Sequence, residues 1–251
     1  MAVSRVDYAG RTLIDLTGDT VTADTLAEGV TAHGANGEPI VGTMSGGGGG
    51  EDVAGAIVDR TVTEFINSNA TSIGEYVFRS CTKLTTVDAP NATSVGQYAF
   101  TSCSALSSVE LPLVESVGQY AFNQCNKIMS ITFPSLTSIS SNAFRDMQYC
   151  ETIDLPILTS IPANAFYGCR GLKALILRSE TMVTLVNTSA FTTCYRILGT
   201  KNAGFNPNGE KIGFIYVPRA LVDEYKAAAN WSSDSLVTQI RAIEDYPDIC
   251  G

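Results

Sequence analysis

The stretch from Thr93 to Pro112, TSVGQYAFTSCSALSSVELP, is one copy of a unit written five times between Asn69 and Arg178. One column of it holds Phe78, Phe100, Phe122, Phe144 and Phe166, each 22 residues after the one before. Three places after each Phe stands Cys81, Cys103, Cys125, Met147 or Cys169. A period in the twenties indicates stacked supersecondary units rather than a single globular core.

Within the unit, Leu106, Val109 and Leu111 alternate as in a short strand with one buried face, and Pro112 ends it by removing a ladder donor. The part from Gly96 to Cys103 is too short for a free helix, so Tyr98, Ala99 and Phe100 are expected to form a helical turn held by packing. Strand, turn, short helix and turn make one lap of an α/β solenoid. A lone lap cannot bury its apolar side, so stability accumulates along the stack and both ends need covers. At ~25 cal/mol per Å² of apolar surface removed from water, each stacked Phe, Leu, Val and Leu set contributes several kcal/mol before ordering entropy is subtracted.

The pattern Leu-x-x-Val-x-Leu-Pro, followed by Ser-Val-Gly-x-Tyr-Ala-Phe-x-x-Cys, resembles the leucine-rich repeat of the BspA-like family. The resemblance covers about Val62 to Leu177, with a degenerate extension through Pro218. It implies a right-handed solenoid with a parallel sheet on the concave face, and adhesion and protein recognition as the functions.

Around this core the chain divides into four parts. Residues 53–217 form the solenoid, with Val62, Phe65 and Ile66 in an incomplete first lap. After Arg178 the register slips: Phe191 follows Phe166 by 25 residues, and Cys194 keeps its place, which predicts a sixth, looser lap. Residues 199–211 read as an inserted loop before a last strand over 212–217. Pro218 is suited to the first turn of a helix. Residues 218–251 are expected to be a C-terminal helical cap, with Leu221, Val222 and Tyr225 on one helix and Trp231, Leu236, Ile240 and Ile243 along a second. A partner-binding helix is the alternative for this segment.

Residues 1–44 read as a small α+β module, with a strand at Leu13–Leu16, a short helix capped by Thr22 and running through Leu26, and a hairpin. The hairpin would pair Val30–His33 with Pro39–Val41 across Asn36-Gly37. The strings LIDLTGDTVTADTL from Leu13 and GEPIVGTM from Gly37 are similar to N-terminal segments of tailed-phage virion proteins such as tail or head fibres. That resemblance implies an attachment module that joins other virion proteins, or forms a homo-oligomer through residues 1–44, on a phage particle. Residues 45–52, with five Gly at 46–50, read as a flexible linker.

A formal net charge of −9 opposes binding to nucleic-acid backbones and to anionic lipid. No apolar run approaches the ~20 residues of a membrane span, and the opening residues lack a signal-peptide apolar region, so neither membrane insertion nor general secretion is expected. Display on a particle released by lysis would need no such signal. The Cys column, which accepts Met147, reads as packing sites for buried free thiols, ahead of disulfides or metal. The only His is His33, no nucleophile has a base in reach, and no phosphate-cradling or calcium-loop spacing occurs. We expect no catalytic, cofactor or metal site, and no enzyme activity.

What remains is a surface. Between the buried strand positions, Thr86, Ser108, Ser130 and Thr152 form one outward column, followed by Ala174; Asp88, Glu110, Thr132 and Asp154 form the next, followed by Ile176. At the ~4.8 Å spacing of parallel strands, Asp88 and Glu110 would face each other as like charges. The strip suits a basic protein patch, a divalent ion or sugar hydroxyls, and the plainer reading is an ordinary solvated sheet face. The functional expectation is a virion-associated recognition protein that presents its solenoid to a bacterial or mucosal surface protein or glycan. The alternatives are a bacterial cell-surface adhesin and an intracellular scaffold.

Overall fold

The computed structural model describes residues 60–250 apart from 201, 203, 210 and 211, and the backbone of four short strands before them. The chain divides into two compact units, residues 1–49 and 50–251. In the first unit, Arg5–Tyr8 pairs antiparallel with Arg11–Asp15, and Thr31–His33 pairs antiparallel with Pro39–Val41. The expected helix after Thr22, the Asn36-Gly37 turn and the Gly-rich linker lie outside the described residues.

In the second unit each lap contributes two short parallel strands, where the sequence pattern had suggested one. The first set is the expected Leu-x-x-Val-x-Leu strand. Glu64–Ile66, Thr86–Asp88 and Ser108–Glu110 form a three-stranded sheet. Ser130–Thr132, Thr152–Asp154, Ala174–Ile176, Phe214–Val217 and Ile240–Ala242 form a five-stranded one. The second set was not anticipated: Ser94–Val95, Ser116–Val117 and Ser138–Ile139 pair in register, as do Ser160–Ile161 and Thr184–Leu185. The interruption before Ser160 has a chemical cause. Gly96, Gly118 and Ser140 each donate a backbone N–H to the previous lap, at Ile73, Val95 and Val117. Pro162 occupies the same column and has no N–H to give. Gly96 and Gly118 also permit the close approach of laps, since a Cβ on either would lie 2.6 Å from the backbone nitrogen of Glu75 or Gln97.

The core is a file of aromatic rings. Phe78, Phe100, Phe122, Phe144, Phe166 and Phe191 are all buried, and successive ring centroids lie 5.2–5.8 Å apart in stacked pairs. Phe65 of the incomplete first lap packs against Phe78 at 4.8 Å, and Trp231 packs against Phe191 at 6.1 Å. Beside the rings run the thiols. Cys103, Cys125, Cys169 and Cys194 direct Sγ to the carbonyl oxygens of Phe78, Phe100, Phe144 and Phe166, at 2.9–3.1 Å. Cys thus ties one lap to the one before it as well as filling space, and Met147 fills the space without an S–H to donate.

The Tyr-Ala-Phe segment is not a helical turn. Tyr98 and Ser102 lie in the left-handed region, with φ of 56° and 62°, and Tyr76, Ser80, Tyr120 and Gln124 repeat this. Left-handed backbone is costly for residues with a Cβ, and here interlap bonds offset the cost. The amides of Tyr98, Phe100 and Ser102 donate to the carbonyls of Gln119, Ala121 and Asn123 one lap ahead. A right-handed helical turn would aim those amides at its own carbonyls instead. In later laps Asn142, Asn164 and Gly168, which tolerate this conformation better, take over some of these positions.

At the far end, residues 219–227 form a 3-10 turn and a short helix, Val222–Ala227. Trp231 Nε1 donates to Val183 O at 2.9 Å, and Val183 N donates to Tyr225 Oη at 2.8 Å, so two buried rings satisfy both backbone groups of one residue. The second helix expected through Ile240 and Ile243 is absent. Val237–Gln239 is a 3-10 turn, and Ile240–Ala242 is a strand with buried, half-buried and buried residues in turn. That alternation matches a strand, and it pairs with Phe214–Val217.

Because each ring stacks on two others, truncation at mid-file opens a cavity that neighbours cannot fill. Phe122→Ala is expected to cost about 3–5 kcal/mol of unfolding free energy, and Phe122→Leu distinctly less, measured by urea denaturation of the full chain.

Candidate functional site

The outward columns lie where the strand register requires. Thr86 pairs with Ser108 and Asp88 with Glu110; Ser130 pairs with Thr152 and Thr132 with Asp154. Glu110, Ser130 and Thr132 are exposed, whereas Thr86, Asp88, Ser108, Thr152 and Asp154 are half-buried. Asp88 and Glu110 therefore sit side by side as like charges on adjacent strands.

The strip is not uniform along the array. Asp154 is engaged by Arg178, whose Nη2 lies 2.8 Å and Nε 3.1 Å from its Oδ2, so this carboxylate already has a fork-shaped partner. One lap further on, Ala174 and Ile176 are buried in a small apolar cluster with Tyr216 and Cys250, packed by Phe214, Ile243 and Tyr246. Burial there raises the Tyr216 hydroxyl to about 12. The C-terminal residues thus cover the outer face at the fifth lap, and its open part is confined to earlier laps.

A second surface follows the unanticipated ladder. A groove of about 950 Å³ runs along Ser72, Ser94, Ser116 and Ser138, the Gly74–Gly96–Gly118 column, and Glu75, Gln97 and Gln119, and it reaches Pro162. Beside it Tyr76, Tyr98 and Tyr120 stack with centroids 5.0 Å apart, and the Arg79 guanidinium lies 5.7 Å from two of these rings. Gln97 Nε2 donates to Tyr76 Oη at 3.3 Å. The groove has no signature in the sequence, because Ser-Val pairs two residues long carry no periodicity.

All seven cysteines are free and buried. Burial pushes the Cys103 and Cys150 thiols up to about 12 and those of Cys125, Cys169 and Cys194 well above their ordinary value, so none is a poised nucleophile. Among the described residues no group of three or more His, Cys, Asp or Glu could hold a metal ion, and no helix is long and apolar enough to cross a membrane.

Residues 61–156 and 93–212 match the family described as BspA type leucine rich repeat region, in 6 copies, which together span well over half of the chain. Among solved structures, a leucine-rich repeat protein from Bacteroides ovatus is 30% identical over 52% of this chain and 39% of its own, with a TM-score of 0.41. The leucine rich repeat protein of T. pallidum is 29% identical over 51% of this chain and 61% of its own, with a TM-score of 0.48. The pneumococcal vaccine antigen PcpA is 12% identical over 72% of this chain and 40% of its own, with a TM-score of 0.51, a likeness of fold alone. This chain spans less than two thirds of the length of each. No curated protein matches it.

Two outcomes follow from the site. Asp88→Asn combined with Glu110→Gln removes a like-charge pair and is expected to raise stability by up to about 1 kcal/mol, read as an upward shift in Tm; an unchanged Tm would show the pair to be screened already. The thiols give a pH dependence. Their folded pKa values lie above the ordinary value near 9, so their contribution is intact below about pH 9 and is lost as pH rises toward about 12. Each such thiol removes up to about 1.4 kcal/mol per pH unit in that window, and urea denaturation at pH 8 and pH 10.5 measures it.

Proposed function

Since this chain belongs to the BspA-type leucine-rich repeat family, whose repeats typically serve as non-enzymatic binding scaffolds, we propose that it is an adhesion protein that recognises a protein or glycan at a cell surface. The carrying observation is the outer sheet face, where Thr86 and Asp88 stand in register with Ser108 and Glu110 on one sheet, and Ser130 and Thr132 with Thr152 and Asp154 on the next. Hydroxyls and carboxylates at a fixed lap spacing suit a ligand whose own polar groups extend over several laps. The rigid core beneath them limits the ordering cost of binding. The neighbouring Thr152 and Asp154 complete the strip, with Arg178 setting its polarity at that end.

A second reading is supported by the resemblance of Met1–Met44 to tailed-phage virion proteins. In it the same solenoid is displayed on a particle through residues 1–44, and its target is a bacterial or mucosal surface. The two readings share the recognition face and differ in what carries it.

The full chain is to be screened on an array of bacterial surface glycans, mucins and host matrix proteins, and the ligand so found retested with Glu110→Lys and Thr132→Lys. At least a tenfold loss of affinity with an unchanged Tm is expected. Affinity that survives these changes but falls with Gln97→Ala and Gln119→Ala would move recognition to the groove. Separately, removal of residues 1–50 is expected to leave a folded solenoid that still binds its ligand. Export of the chain in culture favours the adhesin, and loss of particle incorporation on that deletion favours the virion protein.

A further inference from the structure

Two aromatic rings, Tyr195 and Phe205, flank Arg170, and a third, Tyr149, packs on Phe205. Tyr149 and Phe205 lie with ring centroids 5.4 Å apart. The Arg170 guanidinium carbon lies 5.9 Å from the Phe205 centroid and 6.0 Å from that of Tyr195. Among the described residues its buried Nε donates to no partner and the guanidinium forms no ion pair. A buried donor left unmade is costly, and stacking on ring faces compensates the charge only in part.

The carboxylates nearby are already engaged: Asp146, beside Gly168, pairs with Arg145. Glu151 Oε1 already receives Lys173 Nζ at 2.7 Å and Arg196 Nη1 at 3.4 Å, while Arg196 Nε is held by Phe205 O at 3.2 Å. Two cations thus already share this one carboxylate, and neither leaves it to Arg170. The corner also exposes apolar surface: Tyr149 is 53% exposed and Met129, whose carbonyl accepts from Glu151 N, is 52% exposed. Tyr, Met and Arg are the residues that protein interfaces concentrate at their centres.

We propose that this corner docks an acidic peptide segment of a partner protein, with a Glu or Asp carboxylate pairing with Arg170 and an adjacent apolar side chain lying on Tyr149 and Phe205. Charge complementarity selects the carboxylate, since the planar guanidinium fork matches its two oxygens. The exposed Tyr and Met surface favours a peptide over an acidic sugar, because a polyuronate offers no apolar side chain to cover it. The site shares no residue with the outer sheet face, so it stands or falls independently of the recognition strip.

The test immobilises the full chain and exposes it to two pooled heptapeptide libraries, randomised except for a central glutamate in one and a central glutamine in the other. Retention is quantified by mass spectrometry. The wild-type chain is expected to retain the glutamate pool at least tenfold over the glutamine pool, with the preference falling toward parity in Arg170→Gln. Phe205→Leu, which leaves the charge in place, is expected to reduce retention without abolishing the preference, and it carries the test if Arg170→Gln fails to melt cooperatively. Parity on the wild-type chain, or a preference unchanged in Arg170→Gln and a retention unchanged in Phe205→Leu, overturns the proposal. Stronger retention of hexagalacturonate than of the glutamate pool overturns the assignment to a peptide.

Discussion

The structure depends on the contact between one phenylalanine ring and the next. From Phe78 to Phe191 the rings stack at 5.2–5.8 Å, close to the ~4.8 Å separation of paired strands. The backbone pairing and the aromatic file therefore reinforce a single lap spacing. Every other regularity follows from it: Cys Sγ reaches the carbonyl of the preceding Phe, Gly96 and Gly118 let backbones close to van der Waals limits, and Tyr98 accepts a left-handed backbone so that its amide can reach the next lap. Stability in such an array resides in contacts between neighbours rather than within any one lap.

Much of this was legible in the sequence because the responsible residues recur at a fixed interval. The Phe and Cys columns gave the lap, and Leu106 with Leu111 gave the first strand. What stayed hidden lacked a pattern of its own. Two-residue strands such as Ser94–Val95 are too short to alternate, and the left-handed turns at Tyr98 and Ser102 arise from interlap bonds that no local propensity encodes. Ile240 and Ile243 fit a helical face on spacing alone, and only the free edge of Phe214–Val217 decides for a strand at Ile240–Ala242. Asp154 was visible as an outward carboxylate, but its capture by Arg178, 24 residues on, belongs to tertiary structure.

A scaffold of this kind separates stability from recognition. The thiols and rings are sealed inside, so side chains on the outer face, along the Ser and Gln groove and at the Arg170 corner can change with little consequence for the file beneath. Different surfaces of one rod can then serve different partners. The apolar cluster of Ala174, Ile176, Tyr216 and Cys250 shows that the same outer face also accepts a packed covering from the chain's own C-terminal residues.

Native-state hydrogen exchange tests the stacking account most directly. The amides of Phe78, Phe100, Phe122 and Phe144 donate to carbonyls one lap ahead, and the account predicts that those of the middle laps exchange only through global or multi-lap opening, among the slowest in the chain. Exchange of the Phe100 and Phe122 amides as fast as those of exposed turn residues such as Ser104 would contradict it.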